Sequence, residues 1–547
     1  MKTLKYIIGA LVLAAGLTAC VGDLDVKPID PSMNTADKAL VTEEDYFSLL
    51  AQCYTGFATS GFKGPNGDNA ISGIDGGFSQ YFRGRYHLNG LTTDEAVCGW
   101  NDQTLQDLHG MAWTTTDVFV AAFYYRIFYL ISAFNEFIRQ ADKATIELPE
   151  KALWIAEART LRAFCWLDAI DNYGNVPFAD ETAVVGADIP KQISRKDLFS
   201  YIESECLELL EGSDLYEVGQ SPYGRVNKGT VIMILAKLYL NAEVYTGTAK
   251  YQECADVLAK LDGKYSLHNK YQELFLADNH KCTDEIIWSV EQDGNDVQSY
   301  GVTNYLIFAC TGGDMDTKEI GISSGWGGLR TTPEFYKNFS DNDARKLFFT
   351  EKEQEVVLKR NYDAYVAAQK EAGETADSYE AWLGEDKKWQ QADIELVSEF
   401  THGYGIMKFK NINSDGTKGK AEGFVDTDFP VFRYADALLM KAECAKRGAT
   451  GVDGLAAFNA VRKRAGLSEV QEYSLENVLQ ERACELYMEG WRRSDLVRFG
   501  KFTSASKLWQ WKGGVKAGKG VSAHLNLFPI PSNDLNANSN LVQNSGY

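Results

Sequence analysis

DVFVAAFYYRIFYLISAFNEFIRQADKA, residues 117–144, decides how this chain folds. Phe119, Phe123, Ile127, Leu130, Ile131, Phe134, Phe137 and Ile138 repeat at the i, i+3, i+4 spacing of one helical face. Tyr124, Tyr125, Phe128 and Tyr129 add bulk on the other side, so the helix is expected to pack on two faces. Lys151 to Tyr173 reads as a second long helix, stopped by Gly174 and then Pro177, the order expected at a C-terminus. Further helices are expected near 195–212, 226–246, 250–261, 434–447, 453–465 and 474–492. Pro149, Pro177, Pro190, Pro222 and Pro430 all fall between these segments, where proline does no harm. Pairs of such helices joined by short connections predict a mainly α fold, a scaffold of tetratricopeptide-like helical hairpins. Residues 279–429 differ. They are rich in glycine and polar residues, with strand-like runs such as Glu285–Val290, and read as irregular structure laid over the scaffold. Long ordered segments of that kind tend to carry function.

The 547 residues have room for one large or several ordinary domains. Apolar residues at 45% and charged ones at 24% describe a globular chain. A net charge of −21 repels phosphate backbones, so no nucleic-acid partner is expected. Residues 1–19 read as a signal peptide: Lys2 and Lys5, an apolar run from Tyr6 to Leu17, then Leu17-Thr18-Ala19-Cys20. Small residues before a cysteine resemble the lipobox of bacterial lipoproteins, which makes Cys20 the expected lipidation site and the anchor to a membrane. The alternative is an ordinary secretory signal with an incidental cysteine. Residues 20–41, polar with two prolines, read as a tether. No later stretch is expected to span a bilayer. Nine cysteines remain after Cys20. Cys165, Cys206, Cys254, Cys444 and Cys484 fall in helical patterns, where a thiol acts as a small core hydrophobe. No C-x-x-C occurs, so neither a metal site nor a dense disulfide framework is expected, although one or two disulfides suit an exported chain.

Three signals suggest catalysis and each fails on context. Gly321 to Gly325 spells G-x-S-x-G, but the strand before it and the helix after it that would strain the serine outward are missing. Gly513 to Lys519 nearly spells a phosphate loop, yet Gly520 stands where a Ser or Thr would bind magnesium. Glu481, Glu485 and Glu489 share a face of the expected 474–492 helix with Arg492, and Arg482 and Arg493 flank Glu489. Arginines so placed make ion pairs and depress carboxyl pKa values, the opposite of what a general acid needs. The six histidines are scattered. No cofactor is expected.

The chain resembles the SusD/RagB-like outer-membrane lipoproteins. The resemblance is carried by Glu157 to Asp168 (EARTLRAFCWLD) running on to Pro177, by Gly224 to Lys228 (GRVNK) and by Leu238 to Ala242 (LYLNA). It continues in Arg433 to Glu443, Asn459 to Leu467 and the chain end from Pro529 to Tyr547; Glu481 to Gly500 (ERACELYMEGWRRSDLVRFG) is its most specific piece. It divides the chain after the tether into a helical scaffold at 42–278 and a second region at 279–547 that holds the irregular insert. It implies a lipid-anchored protein on the surface of a Gram-negative outer membrane, partnered with a TonB-dependent SusC-like transporter, binding oligosaccharide and performing no catalysis. A transporter-capping role with another glycan or a peptide as cargo is the alternative.

Within the family the likeness is greatest to its starch-binding founding member, as in Leu240 to Gly247 (LNAEVYTG). Position by position, that likeness assigns ligand-binding roles to the aromatic residues Trp100, Tyr300 and Trp326 and to the polar residues Asp75, Arg83 and Asn101. There is one departure: the founder has two tryptophans two residues apart where this chain has Cys98-Gly99-Trp100. Trp326 is notable without any relative, because GISSGWGGLR (321–330) gives its indole no local apolar partner. Either it tucks back into the core, or its glycine neighbours keep it clear as a platform for an apolar sugar face.

Overall fold

In a computed structural model, residues 36–183, 186 and 189–547 are described. The leader at 1–19, Cys20 and the tether as far as residue 35 lie outside the described residues. Val118–Asp142 is a single helix. The Asp117 side chain opens it by accepting from the N–H groups of Phe119 and Val120, two of the donors that a helix start leaves unpaired. The Phe119–Ile138 stripe is buried with Tyr124 and Arg126 on its flanks, while Tyr125, Phe128 and Tyr129 on the other side are half-buried against the core, so the expected second face packs only in part. By length and composition this helix could cross a bilayer, which corrects the expectation that no later stretch qualifies. Its apolar window is 61% buried inside the protein, as in the core helix of a large soluble fold.

Helix then follows helix in one stack. Val118–Asp142 packs on Lys151–Asn172, which packs on Arg195–Glu211, then Lys228–Leu240, then Tyr251–Leu258. The next layer is Tyr434–Lys446, followed by Gly454–Arg464 and Leu475–Leu486. The chain between 259 and 433 is therefore an excursion from a solenoid that closes up behind it. Sheet is confined, among the described residues, to five two-stranded ladders. Ile286–Val290, read from the sequence as strand-like, pairs with Phe429–Arg433 where the excursion rejoins the stack.

Two helices are interrupted where the sequence reads them as continuous. The 226–246 segment breaks at Asn241, between Lys228–Leu240 and Ala242–Thr246. The 474–492 segment ends at Leu486, after which Met488 and Gly490 take φ of +64° and +73° and Arg492–Arg498 begins a new helix. The break changes the expected ion pairs. Arg492 reaches Asp94, Arg493 reaches Asp171, and Arg482 reaches Asp436 and Asp495, so none of them serves Glu481 or Glu489. The glutamates are held by other cations: Glu481 by Arg345 and Arg462, Glu485 by Arg345, Arg433 and Arg464, Glu489 by Arg433 and Lys408. Burial by itself would raise the Glu485 carboxyl, but Arg464, Arg433 and Arg345 outweigh it and hold the group well below the usual carboxylate range. The excursion also hides helices, Val302–Cys310 and Glu351–Glu371. The second buries only Gln354, Val357 and Leu358, so it shows no apolar stripe in the sequence. The cysteines among the described residues are free and buried, including Cys165, Cys206, Cys254, Cys444 and Cys484, which lie on helices as expected.

Candidate functional site

Three separate segments are brought together at the start of the excursion. Val97–Cys98 pairs antiparallel with Leu329–Arg330, Val97 opposite Arg330 and Cys98 opposite Leu329. The Gly99 N–H extends the pairing to Gly328 O at 2.9 Å. This ladder sets Trp100 beside the glycine-rich stretch that carries Trp326. The stretch is itself anchored on the end of Val302–Cys310. The N–H groups of Trp326, Gly328 and Gly327 donate to Phe308 O (2.7 Å), Ala309 O (2.8 Å) and Thr311 O (2.9 Å), carbonyls at a helix end that has no further turn to satisfy them. Tyr300 stands just before that helix, so its position is set by the same element.

The rings meet as angled facets. The Trp100 and Trp326 centroids are 6.3 Å apart with planes at 50°, and Tyr300 lies 6.1 Å from Trp326 at 66°. The Trp100 Nε1–H donates to Trp326 O at 3.1 Å. Both indoles are half-buried. Trp326 packs inward on Phe308 at 5.0 Å and keeps part of its surface in solvent, midway between the two expectations for it. The glycines do something other than clear the ring's surroundings. A Cβ on Gly328 would stand 2.5 Å from the Trp100 ring, and one on Gly325 would stand 2.1 Å from Thr311 O. They let the indole and the neighbouring backbone close up on the stretch.

Arg83 comes from the helix Tyr81–Asn89 and is 9% exposed. Its guanidinium lies 4.4 Å from the Tyr305 centroid and 5.9 Å from that of Trp100, a cation–π arrangement beneath the rings. Nη1 donates to Gly77 O (2.6 Å) and Tyr300 O (3.0 Å), tying the helix to the aromatic patch. Burial lowers its pKa, and Tyr305, Cys98, Asp102 and Asp75 oppose that shift. Asp75 is exposed; its Oδ1 accepts from the Gly77 N–H at 2.7 Å, and it makes no ion pair with Arg83. Asn101 is exposed next to Trp100. The structure thus gathers Trp100, Tyr300, Trp326 and Arg83 closely, with Asp75 and Asn101 at the margin.

Phe424 was missed by sequence reasoning: its ring is 5.6 Å from Tyr300 at 34° and half-buried. The signal that flags Trp326 was available for it too, an aromatic alone among polar and glycine residues in KGKAEGFVD (418–426). The G-x-S-x-G stretch makes no nucleophile site, for Ser323 bonds the Glu422 carbonyl through both its N–H (3.0 Å) and its Oγ (3.2 Å). Among the described residues no group of three or more His, Cys, Asp or Glu side chains could hold a metal ion. Rings with exposed faces, a fixed guanidinium and marginal carboxylate and amide groups suit a ligand with apolar faces and hydroxyl edges.

A fold of this kind and a ring-lined surface patch define a class of non-catalytic, glycan-binding proteins. The chain belongs to the SusD family, whose model matches residues 284–547. It is 33% identical over its whole length, and over 99% of the relative, to the starch-binding protein SusD of Bacteroides thetaiotaomicron. Among solved structures it is similar to surface glycan-binding protein A of the same organism in complex with laminarihexaose, at TM-score 0.69 and 20% identity, covering 92% of this chain and all of that one. A laminarin-binding SusD-like protein is similar at TM-score 0.65 and 21% identity, covering 92% and 99%. The fold expectation is therefore met.

Proposed function

We propose that this chain is a cell-surface glycan-binding lipoprotein that captures oligosaccharide, α-glucan in the first place, on the patch formed by Trp100, Tyr300 and Trp326. Arg83, Asp75 and Asn101 supply polar contacts to the sugar edges. Cys20 carries the lipid anchor in the outer membrane of a Gram-negative bacterium, and a TonB-dependent SusC-like transporter receives the cargo. The observation that carries the reading is the pair of half-exposed indoles set at 50° with Tyr300 tilted beside them. Rings at such angles suit a chain that curves, whereas a flat ribbon needs rings in one plane. The full-length identity to a starch-binding relative favours α-glucan.

A second reading, a curved β-glucan of the laminarin kind, is favoured by Cys98. Its thiol is buried in the ladder with Leu329, so that position adds no ring to the patch. Affinity electrophoresis in starch and in laminarin gels tests both. Retention by starch that Trp326→Ala abolishes supports the first reading. Retention by laminarin alone moves the assignment to the second. Retention unaffected by Trp326→Ala in both gels removes the patch from either.

A further inference from the structure

Eleven arginines are buried among the described residues. Eight of them lie within ion-pair distance of a carboxylate. Arg83, Arg126 and Arg330 do not. Arg330 uses Nε, Nη1 and Nη2 on the carbonyls of His402, Gly328 and Val397, and Arg83 belongs to the patch above. Arg126 is the unexplained one. It is 1% exposed, and a buried charge without a counterion is costly to keep. Nε donates to Ser79 O at 2.7 Å, and Nη2 donates to Ser60 O at 3.0 Å and Ser79 Oγ at 3.3 Å; Nη1 has no partner among the described residues. Burial lowers its pKa to about 10, so it stays charged at neutral pH.

Arg126 lines a groove of about 990 Å³ between the helices Glu43–Thr55 and Val118–Asp142, the hairpin of Gly61–Lys63 and Gly67–Asn69, and the loop at 295–298. That volume is at the top of the range of small-molecule sites, roughly 300–1,000 Å³. Its walls carry Gln52, Thr59, Asn295 and Gln298, and one half-buried ring, Tyr129, whose centroid is 5.5 Å from the Arg126 guanidinium. The Tyr129 hydroxyl, like Nη1, makes no hydrogen bond among the described residues. Glu136 and Asp296 also line the groove, which disfavours an anionic occupant in a chain already at −21. One ring, several amide and hydroxyl groups and a fixed unspent donor are what a neutral sugar requires.

We propose that this groove is a second carbohydrate-binding site, in which the Tyr129 ring covers a face of a neutral sugar and the Arg126 guanidinium donates to its oxygens. It lies close to the first. Gln298 on its wall is two residues from Tyr300, at most about 8 Å of chain, and Ser79, held by Arg126, is two residues from Gly77, held by Arg83. The 77–79 backbone accepts from both arginines, and the 298–300 segment runs from the groove's wall to the first patch.

The test is calorimetric titration with maltoheptaose, laminarihexaose and trigalacturonate. The proteins are the wild type, Tyr129→Ala and Trp100→Ala/Trp326→Ala, with melting curves as a check on folding. The double variant is expected to keep weak binding of a neutral probe, and adding Tyr129→Ala to it is expected to weaken that binding at least tenfold. Tyr129→Ala alone, which leaves the first patch whole, is expected to remove one of two binding events from the wild-type isotherm. The proposal is overturned by a single binding event that Tyr129→Ala leaves unchanged, or by a residual site that takes only trigalacturonate. Neutral binding at full strength in the double variant would instead discard the patch and keep the groove. A wild-type protein that binds neither neutral probe overturns both.

Discussion

Gly328→Ala is the sharpest perturbation of the aromatic patch. Gly328 lies outside the positive-φ glycines, so alanine meets no backbone strain there and the effect is one of contact. The new methyl would stand 2.5 Å from Trp100 Cε2 and 2.8 Å from Cζ2 and Nε1. The indole must swing away, and its hydrogen bond to Trp326 O at 3.1 Å goes with it. Overpacking of this kind costs about 1–3 kcal/mol, to which the lost hydrogen bond adds about 1 kcal/mol. If a sugar face covers roughly 60 Å² of that ring, a displaced ring forfeits about 1.5 kcal/mol of binding, close to a tenfold loss of affinity. Urea denaturation reports the first effect and calorimetry against the best-binding glucan reports the second. Gly423→Ala serves as the control, since a Cβ there meets nothing within 4 Å. A Gly328→Ala protein with the wild-type midpoint and wild-type affinity would refute the packing of Trp100 on the 326–328 backbone.

Arg433→Ala leaves Glu285, Glu485 and Glu489 buried with one cation fewer, and is expected to cost about 3–5 kcal/mol, read as a lower urea midpoint. Phe424→Ala removes the ring beside Tyr300 and should weaken glucan binding severalfold with little change in melting temperature, measured by calorimetry. Burial pushes the Asp428 carboxyl up to about 7, against the bonds it accepts from the Gln292 N–H and the Tyr223 hydroxyl. A raised folded-state pKa means stability that is fully present below about pH 4 and lost as the pH climbs through 7. Asp428→Asn should therefore gain stability relative to the wild type between pH 4 and pH 8; a difference that stays flat with pH would contradict this.

The solenoid was legible because its helices bury continuous stripes, as in Phe119 to Ile138, and because its prolines fall between them. The break after Leu486 was not. Nothing in the Glu481–Arg493 pattern forbids a helix; the buried carboxylates and cations on other elements pull Glu489 and Arg492 into separate pockets and override local propensity. Glu351–Glu371 was hidden for the opposite reason, since a helix that touches the body along one edge leaves almost no apolar signature. Trp100, Tyr300, Trp326 and Arg83 were named through resemblance and are drawn together by a two-residue ladder and a helix end. The Arg126 groove had no sequence signal, because an arginine on an aromatic helix does not reveal that no carboxylate among the described residues comes within ion-pair distance of it.

Tyr434–Lys446 seats directly on Tyr251–Leu258, so the stack runs on past the excursion, yet Glu285, Arg345 and Lys408 of the excursion enter its buried ion pairs. The excursion is thus wedged into the frame by buried charge as well as by backbone pairing. Descendants of such a chain can rewrite the loops around Tyr300 and Trp326 and acquire a new diet, provided those charged wedges stay in place to keep the frame folded.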